Sequence, residues 1–270
     1  MKRLTGYGLI LIVLGSIWIF DGCKKGDDDP FFSIHSRKAR VTGDWTIEFM
    51  ERNTTQSLSD GSKAVVDFKI DGDKIIIKVD SFETSHDTTN IITTGIVNEV
   101  YYRFDRNSKM DHVFSYQLTK EKSVIDENTS ISTYDKIVTT IKDRATGSWD
   151  FISKIEKNGV NKYKNKERIS LIFESKNNVT TIVTTHWQTD ADGIIIPGTY
   201  DYNSIIESSE NKYANGEYAE IWILKELRNK KIVMERNIDN LVQTQIIDST
   251  STSSSYSEKG TQTITLKPRQ

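Results

Sequence analysis

The chain has 270 residues, 36% of them apolar and 27% charged, with 36 Lys and Arg set against 38 Asp and Glu. A net charge of -2 supplies no basic field for nucleic acid, and a single cysteine excludes both an intrachain disulfide framework and any zinc site built from several cysteines. Few alanines and only 3 prolines, beside abundant Ile, Val and Thr, weigh against a helical bundle and for sheet; the length suffices for one large domain or two small ones.

The N-terminus reads as an address. Lys2 and Arg3 precede an apolar run, Leu9–Phe20, that is too short to span a bilayer and suits the core of a signal peptide. The run ends at Asp21-Gly22-Cys23. A small residue followed by Cys just past an apolar stretch resembles the signal of bacterial lipoproteins. That resemblance implies a signal peptide over 1–22, cleavage before Cys23, and a thiol carrying a diacylglyceryl group. Acyl chains, palmitate among them, would anchor the protein to the membrane at about 0.8 kcal/mol per buried CH2. Residues 23–38 read as a flexible tether, polar from Lys24 to Pro30. Its acidic cluster, Asp27-Asp28-Asp29, resembles the surface-export signal of Bacteroidota lipoproteins. This implies a lipid-anchored outer-membrane location facing the cell exterior.

Residues 39–270 read as strands. Trp45, Ile47 and Phe49 share one face, as do Ile75, Ile77 and Val79, then Phe114, Tyr116 and Leu118, then Ile169, Leu171 and Phe173. Period two with one apolar face marks antiparallel sheet. Turn signals stand at Asp71-Gly72, Asn158-Gly159, Asn177-Asn178, Asp192-Gly193 and Asn215-Gly216, and the Ser-rich segment Ser249–Ser257 reads as a hairpin tip. Roughly ten to fourteen strands joined by tight turns favour a closed barrel, which removes exposed edges. Thr42-Gly43-Asp44-Trp45 is echoed by Thr146-Gly147-Ser148-Trp149, each taken to open a strand. One barrel over 39–270 is the preferred reading; tandem β domains over 39–142 and 143–270 are the alternative.

Gly43-x-Trp45 at the start of an all-β chain resembles the opening motif of lipocalins, in which the Trp fills the closed end of the barrel. The later order, Phe104-Asp105, Gly147-Ser148-Trp149-Asp150-Phe151, Asn165–Arg168, and Trp222 through Leu227 to Val233, resembles the uncharacterised lipocalin-like lipoproteins of Bacteroidota. The resemblance implies a lipocalin-like antiparallel β-barrel and an envelope location, and carries no reaction with it.

Catalytic patterns are scarce. Of His35, His86, His112 and His186, no two stand at metal-ligand spacing, and each reads as structural or exposed. Asp71-Gly72-Asp73 and Asp190-Ala191-Asp192-Gly193 lack the distal Glu of a calcium loop and read as turns. No nucleophile elbow, phosphate loop or dinucleotide fingerprint is present. The run Lys162–Arg168 reads as a solvated turn. Most aromatic residues read as core; Trp187 near a strand end and His112 beside the apolar face of Phe114 and Tyr116 are the candidate ligand-binding residues. The expectation is a non-catalytic, membrane-anchored binding or interaction module. It needs no cofactor or metal, and its ligand is a small apolar molecule, a glycan or an envelope protein. A cell-surface hydrolase acting on glycan or peptide, or an accessory subunit of an envelope complex, are the alternatives.

Overall fold

The computed structural model describes residues 36–58, 61–82, 88–126, 129–157, 160–163, 166–214, 216–245 and 253–270. The expected signal peptide, Cys23, the acidic cluster, His35, His86 and Asn158-Gly159 lie outside them. A short helix, α1 (Arg37–Val41), precedes β1 (Gly43–Leu58), β2 (Lys63–Asp71), β3 (Lys74–Phe82), β4 (Thr88–Phe104), β5 (Lys109–Asp126) and β6 (Ile131–Ile152). After these come β7 (Ile155–Lys157), β8 (Val160–Tyr163), β9 (Arg168–Thr189), β10 (Asp201–Lys212), β11 (Tyr218–Arg228), β12 (Lys231–Gln245) and β13 (Ser253–Pro268). The fold is almost wholly antiparallel sheet.

The strands close into a ring. Their order is β9-β11-β12-β13-β1-β2-β3-β4-β5-β6, and β6 returns to β9; β10 adds to the edge of β9, and β7 and β8 pair apart. The ring is not of uniform girth. Gly43, Asp44 and Trp45 of β1 pair directly with Phe104, Arg103 and Tyr102 of β4. From Phe49 onward β1 pairs instead with β2, so the β2–β3 hairpin is wedged between β1 and β4 at one end only. The narrow end therefore has two fewer strands than the wide end, and barrel diameter grows with strand number.

At the narrow end side chains fill the interior. Trp45, Phe104, Trp149, Leu171, Trp222 and Leu266 are all buried there, within one continuous core. Fully burying each large apolar side chain stabilises by about 1.5–3 kcal/mol. Both indoles of the repeated motif are satisfied: Trp45 Nε1 donates to the Val41 carbonyl at 2.8 Å and Trp149 Nε1 to the Asp105 carbonyl at 3.1 Å. Helix α1 covers this end. Ser36 caps it by accepting from the Ala39 amide, Arg40 Nη1 donates to the Leu227 carbonyl at 2.6 Å, and Lys38 lies 5.7 Å from the Trp149 ring. A five-residue helix has little intrinsic stability, so these contacts hold it. Arg37 and Lys38, assigned to the tether by their sequence, thus belong to the body of the protein.

Four single-residue register shifts bend the wall: Glu48 in β1, Asn98 in β4, Glu174 in β9 and Lys225 in β11 are each the extra residue opposite one partner. Such bulges sharpen twist and let a sheet close. They also reverse which face each later residue takes. Phe49 therefore does not share the face of Trp45 and Ile47; Met50 takes the inner position, and Phe49 lies outside with Lys69 5.4 Å from its ring.

Other sequence expectations are corrected by the same pairing. Asn177-Asn178 is no turn but lies within β9, opposite Arg144 and Asp143 of β6, with the Asn178 amide donating to Asp143. Ser253–Ser257 belong to β13 rather than to a hairpin tip, and residues 249–252 lie outside the described ones. Arg168 is buried rather than solvated, stacked 4.5 Å from the Tyr163 ring. Thr146-Gly147-Ser148-Trp149 does not open a strand; it lies near the end of β6, which runs toward the narrow end where β1 begins. The tandem border at 142/143 falls inside that same strand, and β1 and β13 pair along most of their length.

The glycines of the two Gly-x-Trp motifs serve different needs. Gly43 has φ +144°, which side-chain-bearing residues rarely adopt. A Cβ on Gly147 would instead strike the Ile172 carbonyl and the Phe173 Cα, backbone atoms of β9 at its bulge. Gly147→Ala is expected to destabilise by about 3 kcal/mol, the upper end of overpacking, because neither strand can yield without breaking the β6–β9 ladder. Chemical denaturation reads this; a loss below about 1 kcal/mol would contradict the close approach.

Candidate functional site

Where the ring widens, side chains no longer meet across it. The result is a cavity of about 410 Å³ in the wide half of the ring, directly above the narrow-end core. One wall is aromatic. Phe68 of β2 meets Phe114 and Tyr116 of β5 edge-on, with ring centroids 6.1 and 5.9 Å away. At the floor Tyr102 and His112 stack at 4.2 Å beside Phe173 and Trp222.

The opposite wall is polar, and alternation explains why. On β11, Tyr218, Glu220 and Trp222 share a face. On β12, Arg236 falls between Met234 and Ile238, and on β13 Gln262 precedes Ile264. The bulge at Glu174 turns Lys176 and Asn178 inward, and that at Glu48 turns Arg52 inward. Glu220 gathers these groups. Its Oε1 lies 2.8 Å from Arg236 Nη1 and 3.8 Å from Lys176 Nζ, and Tyr218 Oη donates to it at 3.3 Å; its Oε2 accepts from Trp222 Nε1 at 3.2 Å. Arg236 Nε donates to Gln262 Oε1 at 2.9 Å, and its guanidinium lies 4.9 Å from the Trp222 ring centroid. Lys176 Nζ sits between Tyr218 and Phe173, 4.0 and 4.4 Å from their ring centroids. Arg52 pairs with Glu258 at 2.6 Å.

Burial sets the protonation of this wall. His112 is pushed down to about 4 by desolvation, against the opposing pull of Glu220. Part of the ring faces the cavity, but bulk water is screened from it. The same desolvation lowers Lys176, again opposed by Glu220. The Tyr102 hydroxyl is raised by burial and then by Glu220, and Tyr116 is pushed up to about 12 by burial and Asp143. At neutral pH the floor thus presents a neutral imidazole and neutral phenols beside Lys176, Arg236 and Glu220.

The two ligand-binding candidates part company. His112 lines the cavity floor. Trp187 is not among the lining residues. It stacks on Tyr134, its cross-strand partner, at 5.2 Å, on the face opposite that of Asp143 and Ala145. The β6–β9 ladder carries Trp187 eleven pairs from the row of His112 and Ala145, roughly 35 Å at the rise of a strand. Its neighbour His186 pairs with Asp135 at 2.7 Å. Cys23 lies outside the described residues. Sequence reasoning missed Lys176, Glu220, Arg236 and Arg52.

The three inward carboxylates are each engaged internally: Glu220 by Arg236, Glu258 by Arg52, Asp143 by Asn178. Among the described residues no three His, Cys, Asp or Glu side chains group as a metal site. Asp71-Gly72-Asp73 and Asp190–Gly193 form turns; Asp190 Oδ1 accepts the Asp192 and Ile194 amides. A scan against protein-family models and searches of curated proteins and of solved structures each gave no match to this chain.

The depressed His112 pKa makes stability pH-dependent. The unfolded imidazole titrates near 6.5 and the folded one near 4, so the unfolded state binds the proton first as pH falls. This group's stabilisation is complete above 6.5, is lost between 6.5 and 4, and changes no further below. His112→Phe keeps the stack on Tyr102 and removes the titration. The stability of the native protein relative to the variant is expected to fall by up to about 3 kcal/mol from about pH 7 to about pH 4. A pH-independent difference in urea titrations would contradict it.

Proposed function

We propose that the protein is a lipid-anchored lipoprotein of the bacterial outer membrane. Its lipocalin-like barrel binds a small amphipathic molecule in the wide-end cavity without transforming it. One observation carries the binding reading: a cavity of about 410 Å³ within the wide half of the strand ring, aromatic on one wall and charged on the other. Binding pockets are concave, largely apolar, and furnished with a few placed polar groups. The engaged state of all three cavity carboxylates supports binding over hydrolysis, since a glycosidase-type reaction needs a carboxylate pair free to act on substrate. Support for the anchor comes from the sequence: a basic start, the apolar Leu9–Phe20 run, and the chain's single cysteine at its end. The polar tether would let the barrel stand clear of the bilayer, with its ligand or an envelope protein as partner.

Two measurements test the two halves of the proposal. In cells, Cys23→Ala is expected to move the protein from the membrane to the soluble fraction and to abolish acyl labelling; unchanged membrane association would count against acylation. In vitro, the chain from residue 23 with Cys23→Ala is titrated with N-phenyl-1-naphthylamine, a neutral fluorophore that brightens in apolar sites. Saturable binding at one site is expected, and Val66→Trp, which fills the cavity, is expected to weaken it at least about tenfold. Binding indifferent to Val66→Trp would place the site elsewhere.

A further inference from the structure

Hydrogen-bond donors and acceptors at the cavity floor are not evenly matched. Lys176 and Arg236 share one carboxylate, Glu220, while the neighbouring His112 and Tyr102 are uncharged. Glu220 is already engaged by others: it serves Arg236, Tyr218 and Trp222 at hydrogen-bonding distance, and Lys176 stands off at 3.8 Å. Among the described residues Lys176 Nζ has no hydrogen-bond acceptor; two aromatic faces and a distant carboxylate oxygen surround it. The Lys176 side chain is 32% exposed, and the ammonium protons facing the cavity are open to an acceptor that a ligand brings; such donors bind most strongly to ionised oxygen. Asp143, which also acts on Lys176, sits a pleat nearer the mouth and is held by Asn178. Between the floor and the mouth, Phe68, Phe114 and Tyr116 offer an apolar wall with no charge on it.

We infer that the cavity takes a monoanionic amphiphile, its acidic group seated at the floor against Lys176 and Arg236 and its apolar body against Phe68, Phe114 and Tyr116. The inference rests on the binding reading above and adds the ligand's charge and its orientation, acid inward. A ligand anion supplies the acceptor that Lys176 lacks. A purely apolar ligand would leave Lys176 without an acceptor in a drier site, and a cation would meet Lys176 and Arg236 head-on. The ligand's acid must be a carboxylate, sulfonate or comparable oxyanion carried on a body small enough for about 410 Å³.

A matched pair of probes tests this. The compounds 8-anilinonaphthalene-1-sulfonate and N-phenyl-1-naphthylamine share a ring system and differ by one sulfonate. Both are titrated into the unacylated chain from residue 23, with folding of each variant checked by circular dichroism and urea denaturation. The sulfonate is expected to bind at least about tenfold more tightly than the neutral probe, as a charge-assisted hydrogen bond provides. Lys176→Gln is expected to bring the two affinities within about twofold, and Lys176→Arg, which keeps the charge, to restore the preference. Equal affinities in the native chain, with the neutral probe still bound, would overturn this inference and leave the cavity reading standing. A sulfonate preference that survives Lys176→Gln would overturn the role given to Lys176. Binding of neither probe would overturn both readings.

Discussion

The structure turns on a change of partner along one strand. At Gly43–Trp45, β1 is bonded to β4; from Phe49 on it is bonded to β2, and the β2–β3 hairpin has entered the wall. Two added strands increase the circumference without adding side-chain volume at the centre. Across the narrower ring, Trp45, Phe104, Trp149 and Trp222 meet and exclude water. Across the wider ring Phe68, Phe114 and Lys176 face an opening that they do not fill. Core and cavity are therefore two parts of one architecture, differing in how many strands surround the axis.

That geometry also decides where charge can be tolerated. Glu220 and Arg236 are largely withdrawn from solvent, and a buried ion pair of this kind returns little net stability after desolvation. In the narrow half such groups would be a heavy cost. In the wide half they border space that a polar ligand or water can occupy, and each is supported by neighbours: Gln262 for Arg236, Tyr218 and Trp222 for Glu220. The arrangement makes more sense as recognition than as a source of stability, and this is the physical ground for the binding function proposed here.

How much of this was legible in the sequence depends on the bulges. The alternation of Phe114 and Tyr116 extends back to His112 without interruption, and His112 indeed reaches the cavity. Trp187 shares the parity of Phe173, so simple alternation points it inward as well. The extra residue at Glu174 reverses that parity, sends Lys176 and Asn178 inward, and leaves Trp187 on the outer face against Tyr134. A one-residue register shift has no compositional mark, and the bulge at Glu48 hides the outward position of Phe49 in the same way. One signal was present and unused. Glu220 between Tyr218 and Trp222, and Arg236 between Met234 and Ile238, are charges on an otherwise apolar stripe, and a charge there must face a partner or a cavity. The antiparallel class and the turns at Gly72 and Gly193 follow from local chemistry and were readable; the ring order, built from pairs such as β1 with β13, was not.

The most direct measurement is a nuclear magnetic resonance experiment on the unacylated chain with bound naphthylamine probe, reading intermolecular nuclear Overhauser effects. Cross-peaks from the probe to the methyl groups of Ile47, Met50 and Val66 and to the rings of Phe114 and Tyr116 are the result this account predicts. Cross-peaks confined to the outer face around Tyr134 and Trp187, with those cavity residues silent, would contradict it.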